Sequence, residues 1–350
     1  MNRVDELVAM IRRENRSPVR FMEVCGGHTL AINQLGIRSL LPDKINLLSG
    51  PGCPVCVTGT GYIDSALRIA SNPEVILTTF GDLIRVPGSE GSLETGRASG
   101  MDVRLVLSPL HALQIARQEP GRQVVFLGIG FETTAPGVAA VIRMARSEKR
   151  DNFFVLSAHK VMPPAMDALT SRGIRLDGFI CPGHVSTITG SAIYESLARD
   201  RHIPCVISGF EAADILETIL LLLRQVNQGT ASVEIQYTRA VRPEGNPRAL
   251  QLMDEVFYRR DDWWRGLGII PASGLGIRDE FRAQDAEYLF GRVTMQGTEP
   301  AGCACGSVLT GQMTPSECGL FGSVCTPDSP AGACMVSSEG ACQSFFRFLQ

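Results

Sequence analysis

Phe21-Met-Glu-Val24 runs directly into Cys25-Gly-Gly-His28, and this passage from a short strand to a glycine turn decides how the rest of the chain reads. A brief run without polar–apolar alternation suits a strand buried on both faces, as in a parallel sheet flanked by helices. The pattern recurs at residues 45–48, 75–79, 103–107 and 124–127, with helical periodicity at 62–70 and 109–117 between them. It restarts after a helix at 139–150. Strands expected at 153–157, 178–180, 206–208 and 233–236 then alternate with helices at 162–171, 191–199 and 213–226. Ahead of all of these, Val4, Leu7, Val8 and Ile11 recur at one helical face and predict an amphipathic helix. The expectation is an α/β protein of two similar domains with parallel sheets flanked by helices, over 1–140 and 141–245. A C-terminal region, 246–350, follows; it opens with a helix at 247–260 and continues through the glycine-rich stretch 264–276.

Five glycine turns follow expected strands directly: Cys25-Gly-Gly-His28, Gly50-Pro-Gly-Cys-Pro-Val-Cys56, Gly128-Ile-Gly-Phe-Glu132, Cys181-Pro-Gly-His184 and Ser208-Gly-Phe-Glu211. In open α/β sheets such positions line the crevice beyond the carboxyl ends of the strands. If sequential strands are neighbours, the first two turns lie side by side. His159 and His184 also follow strands and are candidates to face the crevice, whereas His111 and His202 read as surface or helix-end residues. None of the turns has the spacing of a dinucleotide fingerprint or a phosphate loop.

Composition excludes several classes. The 350 residues are 44% hydrophobic and 20% charged with a net charge of −3, and no basic stripe is present, so no nucleic-acid partner is expected. The longest aliphatic stretch, around 215–223, is interrupted by Glu217 and closed by Arg224, short of the roughly 20 apolar residues of a membrane span. Residues 1–16 carry acids and no apolar signal core, which predicts a cytoplasmic protein.

Six of the eleven cysteines fall in the last 48 residues, a segment rich in Gly, Pro and Ser and poor in branched aliphatics. Such a tail lacks the apolar surface to order itself, and a metal site would supply what the core lacks. Cys303, Cys318, Cys325 and Cys342 are separated by 14, 6 and 16 residues, with Cys305 and Cys334 among them. Four thiolates at these spacings suit an iron–sulfur cubane or tetrahedral zinc, and inert or disulfide-bonded cysteines are the third reading. Cys53-Pro-Val-Cys56 is a CxxC next to an expected helix start, which favours thiol–disulfide exchange over half of a zinc site. Cys25 and His28 are close enough to share a metal or to form a thiolate–imidazolium pair. Glu23, one strand repeat before Cys25, is placed to tune it.

These motifs resemble those of the hydrogenase maturation factor HypD family. The matching strings are Met22-Glu-Val-Cys-Gly-Gly-His-Thr29, Gly50-Pro-Gly-Cys-Pro-Val-Cys-Val57, Gly130-Phe-Glu-Thr-Thr-Ala-Pro136, Pro182-Gly-His-Val-Ser186, Gln236-Tyr-Thr-Arg-Ala-Val241 with Glu244-Gly-Asn246, Cys303-Ala-Cys-Gly306, Cys325-Thr-Pro327 and Gly332-Ala-Cys-Met-Val-Ser-Ser-Glu-Gly-Ala-Cys342. The resemblance implies a scaffold for assembling the Fe(CN)2CO moiety of [NiFe]-hydrogenases. It also implies two partners, a HypC-like chaperone and a HypE-like cyanide donor protein. It implies a C-terminal [4Fe-4S] cluster held by Cys303, Cys318, Cys325 and Cys342, with Cys305 and Cys334 as a redox-active pair beside it. Cys53 and Cys56 resemble a second thiol pair. Cys25, accompanied by His28, resembles the residue that holds the transient iron together with a cysteine of the chaperone. Two positions depart from the family pattern: Leu30, where many members have a second histidine, and Ala212, where a proline is common. A stand-alone thiol–disulfide oxidoreductase and a structural zinc protein are the competing readings from other classes.

Overall fold

The computed structural model describes residues 2–171 and 173–348. Every expected strand is present: β1 Val19–Glu23, β2 Ile45–Ser49, β3 Val75–Thr79, β4 Val103–Leu105, β5 Gln123–Gly130, β6 Phe153–His159, β7 Gly178–Pro182, β8 Cys205–Ser208 and β9 Val233–Ile235. They form two sheets, in the orders β2-β1-β7-β8-β9 and β4-β3-β5-β6, and every pairing within them is parallel.

The sheets are not consecutive in sequence. Strands β1 and β2 belong with β7–β9, and β3–β6 form a sheet of their own between them in the chain, so a division at residue 140 cuts through the second sheet. Apolar periodicity marks a strand but not its neighbour, since buried parallel strands all carry the same pattern. That is why consecutive domains were the natural expectation.

The opening helix, Arg3–Glu14, starts from a reciprocal cap between Asn2 and Asp5 and buries Leu7 and Ile11. These two join Phe21, Ile180 and Val206 of the first sheet and the apolar face of helix Ala212–Gln228 in one core cluster. A second cluster covers one face of the β3–β6 sheet, with Ile76, Phe126 and Val155 among its members. The third lies between the sheets, where Met22, Phe179 and Ile207 meet Leu77, Val125 and Leu127.

The C-terminal region also differs from expectation. Its helix ends early, at Pro247–Val256, because Phe257 enters an antiparallel hairpin, β10 Phe257–Trp264 and β11 Gly268–Ile277. The glycine-rich stretch is therefore mostly strand. The hairpin is fastened to the second sheet: the Val161 amide donates to the Ser273 carbonyl at 2.9 Å, and Lys160 bridges to Gly274. The cysteine tail turns instead to the first sheet, where Asn33 Nδ2 donates to Ser344 Oγ at 3.0 Å and helix Ala341–Phe348 lies against helix Gly26–Gln34. Leu309, Ala333, Cys334 and Met335 of the tail enter the inter-sheet cluster. The tail thus borrows a core that its own composition could not build.

Candidate functional site

The carboxyl ends of both sheets open on one cleft of about 490 Å³. Its walls carry Cys25 from the turn after β1, Gly52 and Pro54 from that after β2, Asp82 from that after β3, Gly130, Phe131, Thr133 and Thr134 from the end of β5 and its turn, His184 from that after β7, and Glu339 from the tail. Parallel strands all deliver their following turns to the same end of a sheet. Two sheets facing one gap therefore concentrate these turns in one place.

Cys25 caps helix Gly26–Gln34 from extended backbone. Burial pushes its thiol up to about 12, with Glu339 and Glu23 adding to the rise and the amides of His28 and Gly27 opposing it. Glu23 lies beneath it, fully buried. Thr29 Oγ1 donates to Glu23 Oε1 at 2.6 Å, and burial pushes the Glu23 carboxyl up to about 8 against that bond. The His28 imidazole is not paired with the Cys25 thiol. Its Nε2 lies 3.0 Å from the Gly209 carbonyl, and its ring stacks on Phe210 at 4.5 Å. Phe210 is stacked in turn on His184 at 4.0 Å. Burial lowers both histidines, His28 to about 4, so this aromatic stack is neutral at pH 7. The thiolate–imidazolium reading thus gives way to a thiol surrounded by backbone amides and carboxyls.

The turn carrying Cys53 and Cys56 sits beside Cys25, as expected if β1 and β2 are neighbours. Cys53 caps the single turn Pro54–Val57, and the Cys56 amide donates to Cys53 Sγ at 3.2 Å. Both side chains are buried and free. In the tail, Cys305 and Cys334 are joined in a disulfide. The thiols of Cys303, Cys318, Cys325 and Cys342 are free. Cys342 is pushed up by burial and then by Cys303, Cys325 and Cys318, so it lies within electrostatic reach of the other three, and Cys303 within reach of Cys318 and Cys325. Cys56 feels Cys342 as well, which links the two thiol centres in space. Among the described residues, no three His, Cys, Asp or Glu side chains converge closely enough to hold a single metal ion.

Other expectations divide. His184 faces the cleft. His159 is fully buried away from it, its Nδ1 3.1 Å from Ser157 Oγ. Cys181 turns into the core beside Cys205. Leu30 is half-buried on helix Gly26–Gln34, and Ala212 opens helix Ala212–Gln228. His111 and His202 are exposed. Sequence reading missed Asp82 and Glu339, whose carboxyls reach the cleft and are both raised, mainly by burial, with Asp82 also raising Glu339. A carboxylate three residues past a strand end was a usable signal for Asp82. Glu339 had none, because only the docking of the tail brings it there.

A family model described as "HypD: Hydrogenase formation hypA family" matches residues 2–349. The hydrogenase maturation factor HypD of Rhodobacter capsulatus is 47% identical over 353 residues, covering 99% of this chain and 93% of its own length. That of Cupriavidus necator is 45% identical over 353 residues, with 98% and 93% covered. That of Rhizobium leguminosarum is 46% identical over 337 residues, with 94% and 88% covered. With matches of this extent to the family model and to these relatives, the chain belongs to the HypD family of hydrogenase maturation factors.

Proposed function

We propose that this chain is a scaffold and redox factor for assembling the Fe(CN)2CO moiety during [NiFe]-hydrogenase maturation, acting with a HypC-like chaperone and a HypE-like cyanide donor protein. The observation that carries the reading is the cleft itself. Cys25 stands in the wall of an opening bounded by both sheets and the tail, with the Cys53/Cys56 turn at its side. The iron is cargo in this reading, and Cys25 with one cysteine of the chaperone would hold it. Thiolates suit a soft, low-spin iron without a closed protein cage. Among the described residues no helix is long and apolar enough to cross a membrane.

The tail fits a resident [4Fe-4S] cluster on the chemistry of its donors. Four free thiols share one partly buried neighbourhood in which burial and the other three thiols raise the cost of ionising Cys342, and a cationic cluster core relieves that cost. Cys303, Cys318, Cys325 and Cys342 would hold it, and it would supply single electrons. The same donors do not converge as a mononuclear zinc site requires. The chain's own residues do the rest. The buried Glu23 accepts from Thr29 below the cleft, the His28–Phe210–His184 stack walls one side without charge, and the Asp82 and Glu339 carboxyls, both raised mainly by burial, face the opening.

The test is infrared spectroscopy on the complex purified anaerobically with its chaperone from cells that make hydrogenase. Cyanide and carbonyl stretches in the wild-type complex are expected, and their consistent absence from an otherwise intact complex overturns the reading.

A further inference from the structure

Arg265 occupies the tip of the β10–β11 hairpin, a place that no motif marks, and is 2% exposed. Its Nε donates to the Cys56 carbonyl at 2.9 Å, its Nη2 to the Thr58 carbonyl at 2.8 Å, and its own amide to the Val57 carbonyl at 2.9 Å. Three successive carbonyls of the cysteine turn are thus satisfied by one residue. The guanidinium also pairs with Glu299, from the segment that leads into the tail. Next to it, Gly266 has φ +78°, and a Cβ there would fall 2.5 Å from the Gly306 carbonyl oxygen. The hairpin tip is wedged between the Cys53/Cys56 turn and the tail.

The wedge is held from behind. Lys160 Nζ pairs with Asp262 Oδ2 at 2.6 Å, the two side chains being 1% and 3% exposed, and donates to the Trp263 carbonyl at 2.8 Å. Its ammonium also lies 5.4 Å from the centre of the Trp264 ring. Breaking a buried ion pair is costly, so the second sheet fixes where Arg265 can be.

Burial and the neighbouring Cys53 push the Cys56 thiol well up, and the Arg265 guanidinium opposes them. The groups that bear on the Cys56 sulfur are Cys53 on its own turn, Cys342 from the C-terminal helix and Arg265 from the hairpin. Glu299 and Cys303 bear on the guanidinium in turn.

We propose that Arg265 is the positioning residue of the Cys53/Cys56 pair, fixing its turn through three carbonyls and supplying the positive charge that favours the reduced, anionic pair over the disulfide. This rests on the redox reading of that pair. In the exchange with a dithiol reagent, the Cys53–Cys56 bond breaks and the reagent's disulfide forms. Two electrons and two protons pass to the pair, and one proton then leaves to solvent where the pair's monoanion is stable. A cation beside the sulfur favours the products, and more so as pH rises.

The full chain is equilibrated anaerobically with mixtures of reduced and oxidised dithiothreitol from neutral to alkaline pH. It is then quenched in acid, unfolded and alkylated, and the peptide bearing both cysteines is read by mass spectrometry. Arg265→Met is expected to shift the equilibrium about tenfold towards disulfide at alkaline pH, about 30 mV for a two-electron couple. It also raises the pH at which the pair's potential changes slope. Arg265→Lys restores most of the shift. Glu299→Gln leaves the three carbonyl contacts in place and moves the equilibrium the opposite way, and it decides the matter alone if Arg265→Met fails to fold. If the wild-type pair never forms a disulfide, the redox reading falls and this inference with it. If the wild type titrates but the Met and Gln variants coincide with it, or Lys behaves as Met, only the inference falls.

Discussion

Gly52 lies so close to Cys25 that a Cβ at position 52 would fall 2.1 Å from the Cys25 nitrogen. The contact is reinforced by the Gly26 amide, which donates to the Gly52 carbonyl at 2.9 Å. The two thiol-bearing turns are therefore joined backbone to backbone, and no side chain fits between them.

Gly52→Ala must push those turns apart, with an expected cost of about 1–3 kcal/mol or more. Gly137→Ala is the control. It lies within helix Ala135–Ser147 and its Cβ would meet nothing within 4 Å. There the expected change is a gain of up to about 1 kcal/mol from better helix propensity. Thermal unfolding of the two variants compares them directly, and equal midpoints would mean that the turns tolerate separation.

Cys318→Ala and Cys325→Ala are each expected to abolish bound iron and acid-labile sulfide and to destabilise the tail. The helices of the tail that reach the inter-sheet core limit the damage, so the α/β body keeps its circular dichroism. Elemental analysis of anaerobically prepared wild-type protein is decisive first: zinc without iron or sulfide removes the cluster assignment.

How far the sequence could be read depended on whether a signal was local. The strands and their glycine turns were legible because burial on two faces leaves an unbroken apolar run, and a tight exit leaves a glycine. The pairing of β1 with β7 was not, since Phe21 meets Gly178 across 157 residues of chain and nothing in either segment names the other. The glycine-rich stretch 264–276 hid its hairpin for a different reason. Glycines at 266, 268, 274 and 276 resemble a loop, yet Gly274 and Gly276 face Asp262 and Tyr258 across a hairpin that leaves no room for a side chain. Cys25, Cys53 and Cys56 were found because each lies at a strand end, whereas Glu339 and Arg265 reach their places only through tertiary docking.

Glu132 carries a pH dependence that can be isolated. Burial raises its carboxyl from 4.5 to about 7, while the Met162 amide donates to Oε1 at 3.0 Å. The folded state holds this proton across a window in which the unfolded chain has lost it. The stability that Glu132 contributes is therefore complete below pH 4.5, falls as pH rises to about 7, and is level above that. Glu132→Gln keeps an acceptor for Met162 and cannot ionise, so it should gain on the parent through the same window, by roughly 3 kcal/mol at most. Thermal midpoints that run parallel across the window would show that Glu132 does not hold the proton.

Cys25→Ala separates the readings of the cleft most sharply. The four free tail thiols are contributed by other segments, so this variant should retain its iron–sulfur content. It should also remain bound to the chaperone at least in part, because an interface draws on many side chains. The cyanide and carbonyl infrared stretches should vanish from the purified complex. Cys25→Ser should not restore them, since a hydroxyl is a harder and far less acidic ligand than a thiol. If Cys25 is only a buried cap at a strand end, alanine costs modest stability and the bands persist. The local structure argues that truncation is tolerated: the Cys25 carbonyl accepts from the His28 and Thr29 amides, and the neighbouring Gly26 amide donates to the Gly52 carbonyl, none of which involves the sulfur. Unchanged bands in Cys25→Ala would therefore remove the iron from this residue and the assembly site from the turn that follows β1.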